Sequence, residues 1–162
     1  MSKIKLLILL LISLLVFSCT NKQINHSNQK YSLKYIGGEY DGLLLNNYLK
    51  NSLKNLGIFD QKSIFEIQAN INHNSNLYIT NIDNTSDREK INTKLFIQIF
   101  DQNSKCMVFQ DEINVSQFYI YASSDKFLSN QTAVKKIKKD NTELAVKKFI
   151  INLNKINNKC YE

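Results

Sequence analysis

The sequence predicts an α+β fold, a two-layer sandwich in which two helices pack on one face of a roughly four-stranded sheet, in the order β-α-β-β-β-α. Two stretches alternate apolar and polar residues, as half-buried strands do, and two others place apolar residues at helical spacing. A length of 162 residues and a hydrophobic content of 43% suit one folded domain, which we expect over residues 31–162.

The first two predicted elements are a short strand at residues 32–36, which ends at a pair of glycines, and a helix. The helix covers residues 41–57, with Asp41 as its N-cap and Gly57 just past its last turn. Four leucines of this segment share one face: Leu45, Leu49, Leu53 and Leu56.

Three strands are predicted next. Every second residue is apolar in 63–72, and the same period-two pattern returns in 91–100. The polar segment 72–89 either extends the first of these strands or forms a loop. A turn-forming cluster at 101–105 leads into the last strand, 107–121, so the last two strands are expected to form an antiparallel hairpin.

The second helix is predicted from residue 129 to about 154, because no Pro or Gly interrupts this segment. Its apolar stripe is expected to face the sheet and consists of Val134, Ile137, Leu144, Ala145, Phe149 and Ile156. The other face of the sheet is more polar and is expected to meet solvent or a partner; it carries Glu66, Gln68, Lys94, Phe96, Gln98 and Phe100.

The N-terminus has the pattern of a lipoprotein signal peptide, predicted at residues 1–18. Its apolar run is about 12 residues long, which is short of the ~20 that a spanning helix needs. The run ends in Ser18-Cys19, a small residue followed by the cysteine that receives lipid in the bacterial lipobox pattern. Residues 19–30 then form the lipidated cysteine and a polar tether, and Thr20 in place of an aspartate after the cysteine favours the outer membrane.

The net charge of +7 comes from 21 Lys and Arg against 14 Asp and Glu. Removal of residues 1–18 takes away two lysines and no acid, which leaves +5. Ile, Lys and Asn have AT-rich codons and are all heavily used, so the basic balance is weak evidence for a nucleic-acid partner. We therefore predict no nucleic-acid binding.

Two cysteines besides Cys19 remain, Cys106 and Cys160. In the oxidising periplasm they are able to form a disulfide, and the alternative is that both stay unpaired, since Cys160 lies two residues from the chain end.

No enzyme motif stands out, and we predict no catalytic activity, metal or cofactor. The two histidines, His26 and His73, have no metal-type spacing to cysteines or carboxylates and are expected to be surface residues. There is no nucleophile elbow, P-loop or dinucleotide fingerprint.

Two basic clusters stand out in the sequence. Arg88 is the only arginine and is followed by Lys90 and Lys94, where the polar segment enters a strand. Arginine is favoured over lysine for bidentate contacts to phosphate. The second cluster, at 135–139 of the last helix, reads mainly as a solvated helix face.

The order of elements resembles the lipopolysaccharide-assembly lipoproteins of the outer membrane, the LptE type. The resemblance spans about residues 41–156 and is most specific in three segments: 91–100 (INTKLFIQIF), 108–116 (VFQDEINVS) and 139–149 (KDNTELAVKKF). Aromatic residues follow the second of these segments, at Phe118, Tyr119 and Tyr121.

The resemblance implies a non-catalytic protein that sits as a plug in an outer-membrane β-barrel translocon of the LptD type and helps deliver lipopolysaccharide to the cell surface. It would be anchored by its N-terminal lipid on the periplasmic side of the outer membrane. Arg88 and Lys126 match the family's basic loop residues by location, and with Lys90 they are the predicted lipopolysaccharide contacts. The alternative is a generic periplasmic lipoprotein that binds a small ligand, peptidoglycan or another envelope protein.

Overall fold

A computed structural model describes residues 29–78, 88–120 and 127–153, together with Ile156 and Cys160. The helices and strands are β1 (Tyr31–Gly37), α1 (Glu39–Asn55), β2 (Phe65–Tyr78), β3 (Arg88–Asp101), β4 (Cys106–Ile120) and α2 (Phe127–Leu153). The predicted signal peptide, Cys19, most of the tether and Lys126 lie outside the described residues.

The four strands form one sheet in the order β1-β2-β3-β4. β1 pairs with β2 in parallel, so the chain must cross over between them, and α1 makes this crossover. β2, β3 and β4 are antiparallel to their neighbours, and the β2–β3 register runs from Phe65 opposite Asp101 to Tyr78 opposite Arg88. The predicted α+β fold and its element order are confirmed, and the polar segment after residue 72 extends β2 as far as Tyr78.

One face of the sheet supplies the core. Ile67, Leu95, Ile97 and Ile99 point to the helices and are fully buried, since side chains along a strand alternate between its faces. Both helices lie on this side, and their buried apolar residues are Leu45, Leu49, Leu53, Ala145, Val146, Phe149 and Leu153.

The buried stripe of α2 differs from the predicted one. Leu144, which was expected in the stripe, is 40% exposed, whereas Asn141 and Thr142 are fully buried. The helix is rotated so that these two polar residues face inwards, because Asn141 is hydrogen-bonded to groups of β3.

The two ends of α1 are set by glycines. At its C-terminus, Gly57 adopts φ +71° and its N–H donates to the Lys54 carbonyl at 2.9 Å, while the Ile58 N–H donates to the Leu53 carbonyl at 3.0 Å. This is a Schellman motif, and it confirms the predicted helix stop.

At the N-terminus of α1 the prediction was wrong, because Gly38 and not Asp41 occupies the N-cap position. Gly38 has φ +117°, and an added Cβ would lie 2.8 Å from the Ile71 carbonyl oxygen, so only glycine fits this turn. Asp41 is therefore inside the helix, and its carboxylate is available for contacts with other elements.

The outer face of the sheet is polar, as expected. Gln98 donates to Gln110 at 2.9 Å, and Lys94 pairs with Glu112 at 2.8 Å.

No helix of the described part of the chain is long and apolar enough to span a membrane.

A disulfide joins Cys106 at the start of β4 to Cys160 near the C-terminus. The two residues are 54 positions apart. Because the bond restricts the unfolded chain, a chain-entropy treatment gives a stabilisation of about 4 kcal/mol for a loop of this length. It fastens Cys160 to the start of β4, next to the β3–β4 turn.

The first prediction concerns α1. Replacement of Leu49→Ala removes a side chain that is 0% exposed and should lower the free energy of unfolding by about 2–5 kcal/mol. Leu43→Ala on the same helix is the matched control, because Leu43 is 64% exposed and its loss should cost about 0.5 kcal/mol or less. Urea unfolding measures both, and equal losses would contradict the described packing of α1.

Candidate functional site

A groove opens where the sheet extends beyond α1. It lies between the N-terminal end of α1, the first half of α2 and the ends of β3 and β4, and has a volume of about 1020 Å³. This volume is at the upper end of the range of pockets that hold small ligands. Apolar or aromatic side chains from three elements line it: Tyr40, Leu44, Tyr119 and Val134.

The wall that α2 contributes is basic. Four lysines within five residues border the groove: Lys135, Lys136, Lys138 and Lys139. Two carboxylates also border it, Asp41 of α1 and Glu89 of β3, so the described lining carries a formal charge of +4 − 2 = +2. Lys135 Nζ lies 5.9 Å from the Tyr40 ring centroid, a cation–π distance that links the two helices across the groove.

Both acids of the groove have partners within the protein. Asp41 Oδ2 is 3.9 Å from Lys138 Nζ and 3.8 Å from His73 Nε2. Glu89 accepts a hydrogen bond from the Tyr119 hydroxyl on the neighbouring strand. Lys138 offsets the charge of Asp41, whereas Glu89 is hydrogen-bonded but keeps its charge, so the excess positive charge of the lining lies on Lys135, Lys136 and Lys139 of α2.

His73 is buried, and the expectation that it is a surface residue was wrong. Its side chain is 1% exposed, because residue 73 points to the helix side of β2 beneath Asp41. Its Nδ1 is 2.7 Å from Thr93 Oγ1, and its Nε2 has no hydrogen-bond partner among the described residues. Burial, which disfavours the charged imidazolium, lowers the pKa of His73; Asp41 opposes this effect and Lys138 adds to it.

A buried polar cluster extends from His73 to α2. Asn141 Nδ2 donates to Thr93 Oγ1 at 3.0 Å and to the Ile91 carbonyl at 3.3 Å. Because Asn141 and Thr93 are at most 1% exposed, these bonds form away from water and fix the position of α2 over β3.

Two of the predicted lipopolysaccharide contacts, Arg88 and Lys90, are not in the lining of this groove. Arg88 and Lys90 lie on β3 two residues apart and point to the outer face of the sheet, whereas the residue between them, Glu89, points to the helix side. Lys90 Nζ is 5.5 Å from the Phe118 ring centroid on the same outer face. Arg88 is exposed at the end of the strand, and Lys126 and Cys19 lie outside the described residues.

The sequence had signalled only one wall of the groove, the lysines at 135–139. Tyr40 and Asp41 of α1 lie far from Tyr119 of β4 in the chain, and only the fold brings them together at the groove. Within the described residues, no group of three His, Cys, Asp or Glu side chains is arranged to hold a metal ion.

Comparison with known proteins relates the fold to bacterial lipoproteins. No protein-family model and no curated protein matches the sequence. The structure of a minor lipoprotein from Acinetobacter baumannii is similar, with a TM-score of 0.60 and 11% identity over 83% of this chain and 98% of that chain. Rare lipoprotein B from Shewanella oneidensis is similar with a TM-score of 0.54 and 8% identity, over 76% of this chain and 96% of that chain. At these identities the likeness shows the fold.

The second prediction follows from the buried histidine. Because the folded-state pKa of His73 is below its ordinary value of 6.5, the unfolded chain takes up a proton first as the pH falls. The free energy of unfolding should therefore decrease as the pH drops below 6.5, by at most about 1.4 kcal/mol per pH unit.

Urea unfolding between pH 7 and pH 5.5 measures this slope, and His73→Gln should flatten it. The window lies above the titration of Glu112 and Glu143, whose carboxyl pKa values are lowered by hydrogen bonds from Lys94 and Lys147. Parallel curves for the two proteins would show that His73 is not the titrating group.

Proposed function

We propose that this protein is an outer-membrane lipoprotein that assists lipopolysaccharide assembly as a plug-like partner of a β-barrel translocon. The observation that carries the proposal is the fold, which matches bacterial lipoproteins over 98% and 96% of their chains. The lipobox pattern at Ser18-Cys19 supports it independently, because it supplies the anchor that such a role requires.

The geometry suits an anchored adaptor. Tyr31 lies beside Phe65, which is opposite Asp101, so the chain enters the sheet at the Asp101 end of β3. Arg88 is at the other end of this 14-residue strand, about 45 Å away at ~3.3 Å per residue. Arg88 and Lys90 therefore lie at the opposite end of the sheet from Tyr31, the residue at which the first strand begins.

That far end combines positive charge with exposed apolar side chains on the outer face. Phe118 is 57% and Ile120 is 70% exposed, and in the β3–β4 register they lie opposite Lys90 and Arg88. Lipopolysaccharide carries phosphates next to acyl chains, and a surface of this composition suits both parts.

A second candidate function is that of an envelope lipoprotein that binds a small ligand. The groove of about 1020 Å³ favours it, since a volume of this size is typical of ligand pockets. Co-purification separates the two functions, because only the first requires a β-barrel partner.

The third prediction tests the partner. The tagged protein, extracted from membranes in a mild detergent, should retain an outer-membrane β-barrel of the lipopolysaccharide-export type, identified by mass spectrometry. Cys19→Ala removes the lipidated thiol, so this variant should not fractionate with the outer membrane. A wild-type protein that is recovered without any barrel would overturn the translocon role.

The fourth prediction concerns Arg88. Arg88→Glu should weaken binding of purified lipopolysaccharide about tenfold at low salt, because it replaces a cation that binds phosphate by an anion that repels it. Lys62→Glu makes the same kind of charge reversal at an exposed position away from the Arg88 end of the sheet, and it should leave binding unchanged. Equal effects of the two variants would remove Arg88 from the site.

A further inference from the structure

The groove lies on the opposite side of the sheet from Arg88 and Lys90, and it differs from their outer face in shape. Arg88 and Lys90 point away from the helices, whereas the groove opens between the helices and the ends of β3 and β4. A ligand in the groove would contact two helices and two strands at once, so it would be more enclosed than on the flat outer face.

The groove carries both positive charge and apolar surface. The α2 wall presents Lys135, Lys136 and Lys139, all exposed at the rim. Leu44 and Val134 are half-buried and give the groove an apolar lining from both helices. An occupant that matches this arrangement has an anionic head at the lysines and an apolar body along the leucine and valine.

The acids of the groove do not cancel this preference for an anion. Asp41 is shared between Lys138 and His73, and Glu89 accepts the hydrogen bond of Tyr119. Both carboxylates are thus held by groups of the protein itself, while the lysine rim keeps its charge. A cationic ligand would have to compete with these internal contacts.

We propose that this groove is a second binding site, for an amphiphile that carries a phosphate head and acyl chains. The lysines of α2 bind the phosphate as point charges, and Leu44 and Val134 pack against the chains. This deepens the proposed envelope function, on which it rests, because it gives the lipoprotein a groove that can hold part of a lipid. A glycerophospholipid and the lipid A part of lipopolysaccharide share the chemistry, and the experiment separates them.

The chain offers a clean reporter, since it contains no tryptophan. Tyr40→Trp places a single indole in the groove at a position that is 67% exposed and therefore tolerant. Tyr35→Trp is the matched reporter outside the groove, at a position that is 63% exposed. The lipidated full chain is held in phosphatidylcholine nanodiscs, and tryptophan emission is followed while a lipid probe is added.

Three probes are used to identify the ligand: dioctanoyl phosphatidic acid, diphosphoryl lipid A and dioctanoyl phosphatidylcholine. The last is the control, because its head group has no net charge. We expect a saturable blue shift of the Tyr40→Trp protein with phosphatidic acid, with lipid A or with both, and none with phosphatidylcholine. The probe that binds identifies the source of the phosphate. Equal shifts from the Tyr35→Trp protein, or a response to an acidic peptide with none to the lipids, would overturn the proposal.

A charge-matched pair of variants tests the lysine rim in the Tyr40→Trp background. The groove variant carries Lys135→Gln, Lys136→Gln and Lys139→Gln. The control variant carries three neutralised lysines that are exposed and lie outside the groove: Lys54→Gln, Lys62→Gln and Lys105→Gln. We expect affinity for the probe to fall at least tenfold in the first variant and less than twofold in the second.

Equal losses in the two variants, with thermal unfolding unchanged, would overturn the site. The result is independent of the partner test. Probe binding by a protein that co-purifies with no barrel would retain the groove and reject the translocon role, whereas a barrel-bound protein whose groove takes no probe would reject the groove alone.

Discussion

The whole structure depends on the burial of one apolar sheet face. Side chains of β2 and β3 alternate between the two faces, so a mainly apolar row of Ile and Leu lies on one side and a more polar mixture, which includes Phe96 and Phe100, lies on the other. Burial of this row is the main favourable contribution to folding, and it needs two helices to cover it. The parallel β1–β2 pair lets α1 cross over that face, and the return from β4 lets α2 complete the layer.

The same constraint explains where the groove lies. β2, β3 and β4 have 14 or 15 residues, whereas β1 has seven, so the first helix begins part-way along the longer strands. Beyond Gly38, α2 is the only helix among the described residues that covers this side of the sheet. The space that α1 leaves over Glu89 and Tyr119 is the groove, and the lysines of α2 border it because their helix continues past the end of α1.

Much of the fold could be predicted from periodicity. The alternation in 63–72 and 91–100 and the leucine stripe of α1 depend on local spacing, and Gly57 ends the helix through its own backbone freedom. The prediction of Asp41 as the N-cap was wrong because the helix start is decided by the close packing of Gly38 against Ile71, 33 residues away, which local spacing does not reveal.

The candidate site was harder to predict, for a similar physical reason. A polar residue on a helix, such as Asn141, normally faces water, and only the position of Thr93 beneath it makes an inward orientation favourable. Likewise, the lysines of α2 look like a solvated face until Tyr40 and Tyr119 are placed opposite them. Sites assembled from separate elements leave no continuous motif in the chain.

The two ends of the sheet carry different features. Tyr31, where the chain arrives from the predicted anchor, and the Cys106–Cys160 disulfide are both at the Asp101 end of β3. Tyr31 and Cys160 are therefore held at the same end of the sheet. The opposite end carries the exposed Arg88 on one face and the groove on the other. Arg88 and Tyr31 are therefore separated by the length of β3, because one lies at its first residue and the other next to the strand pair at its last.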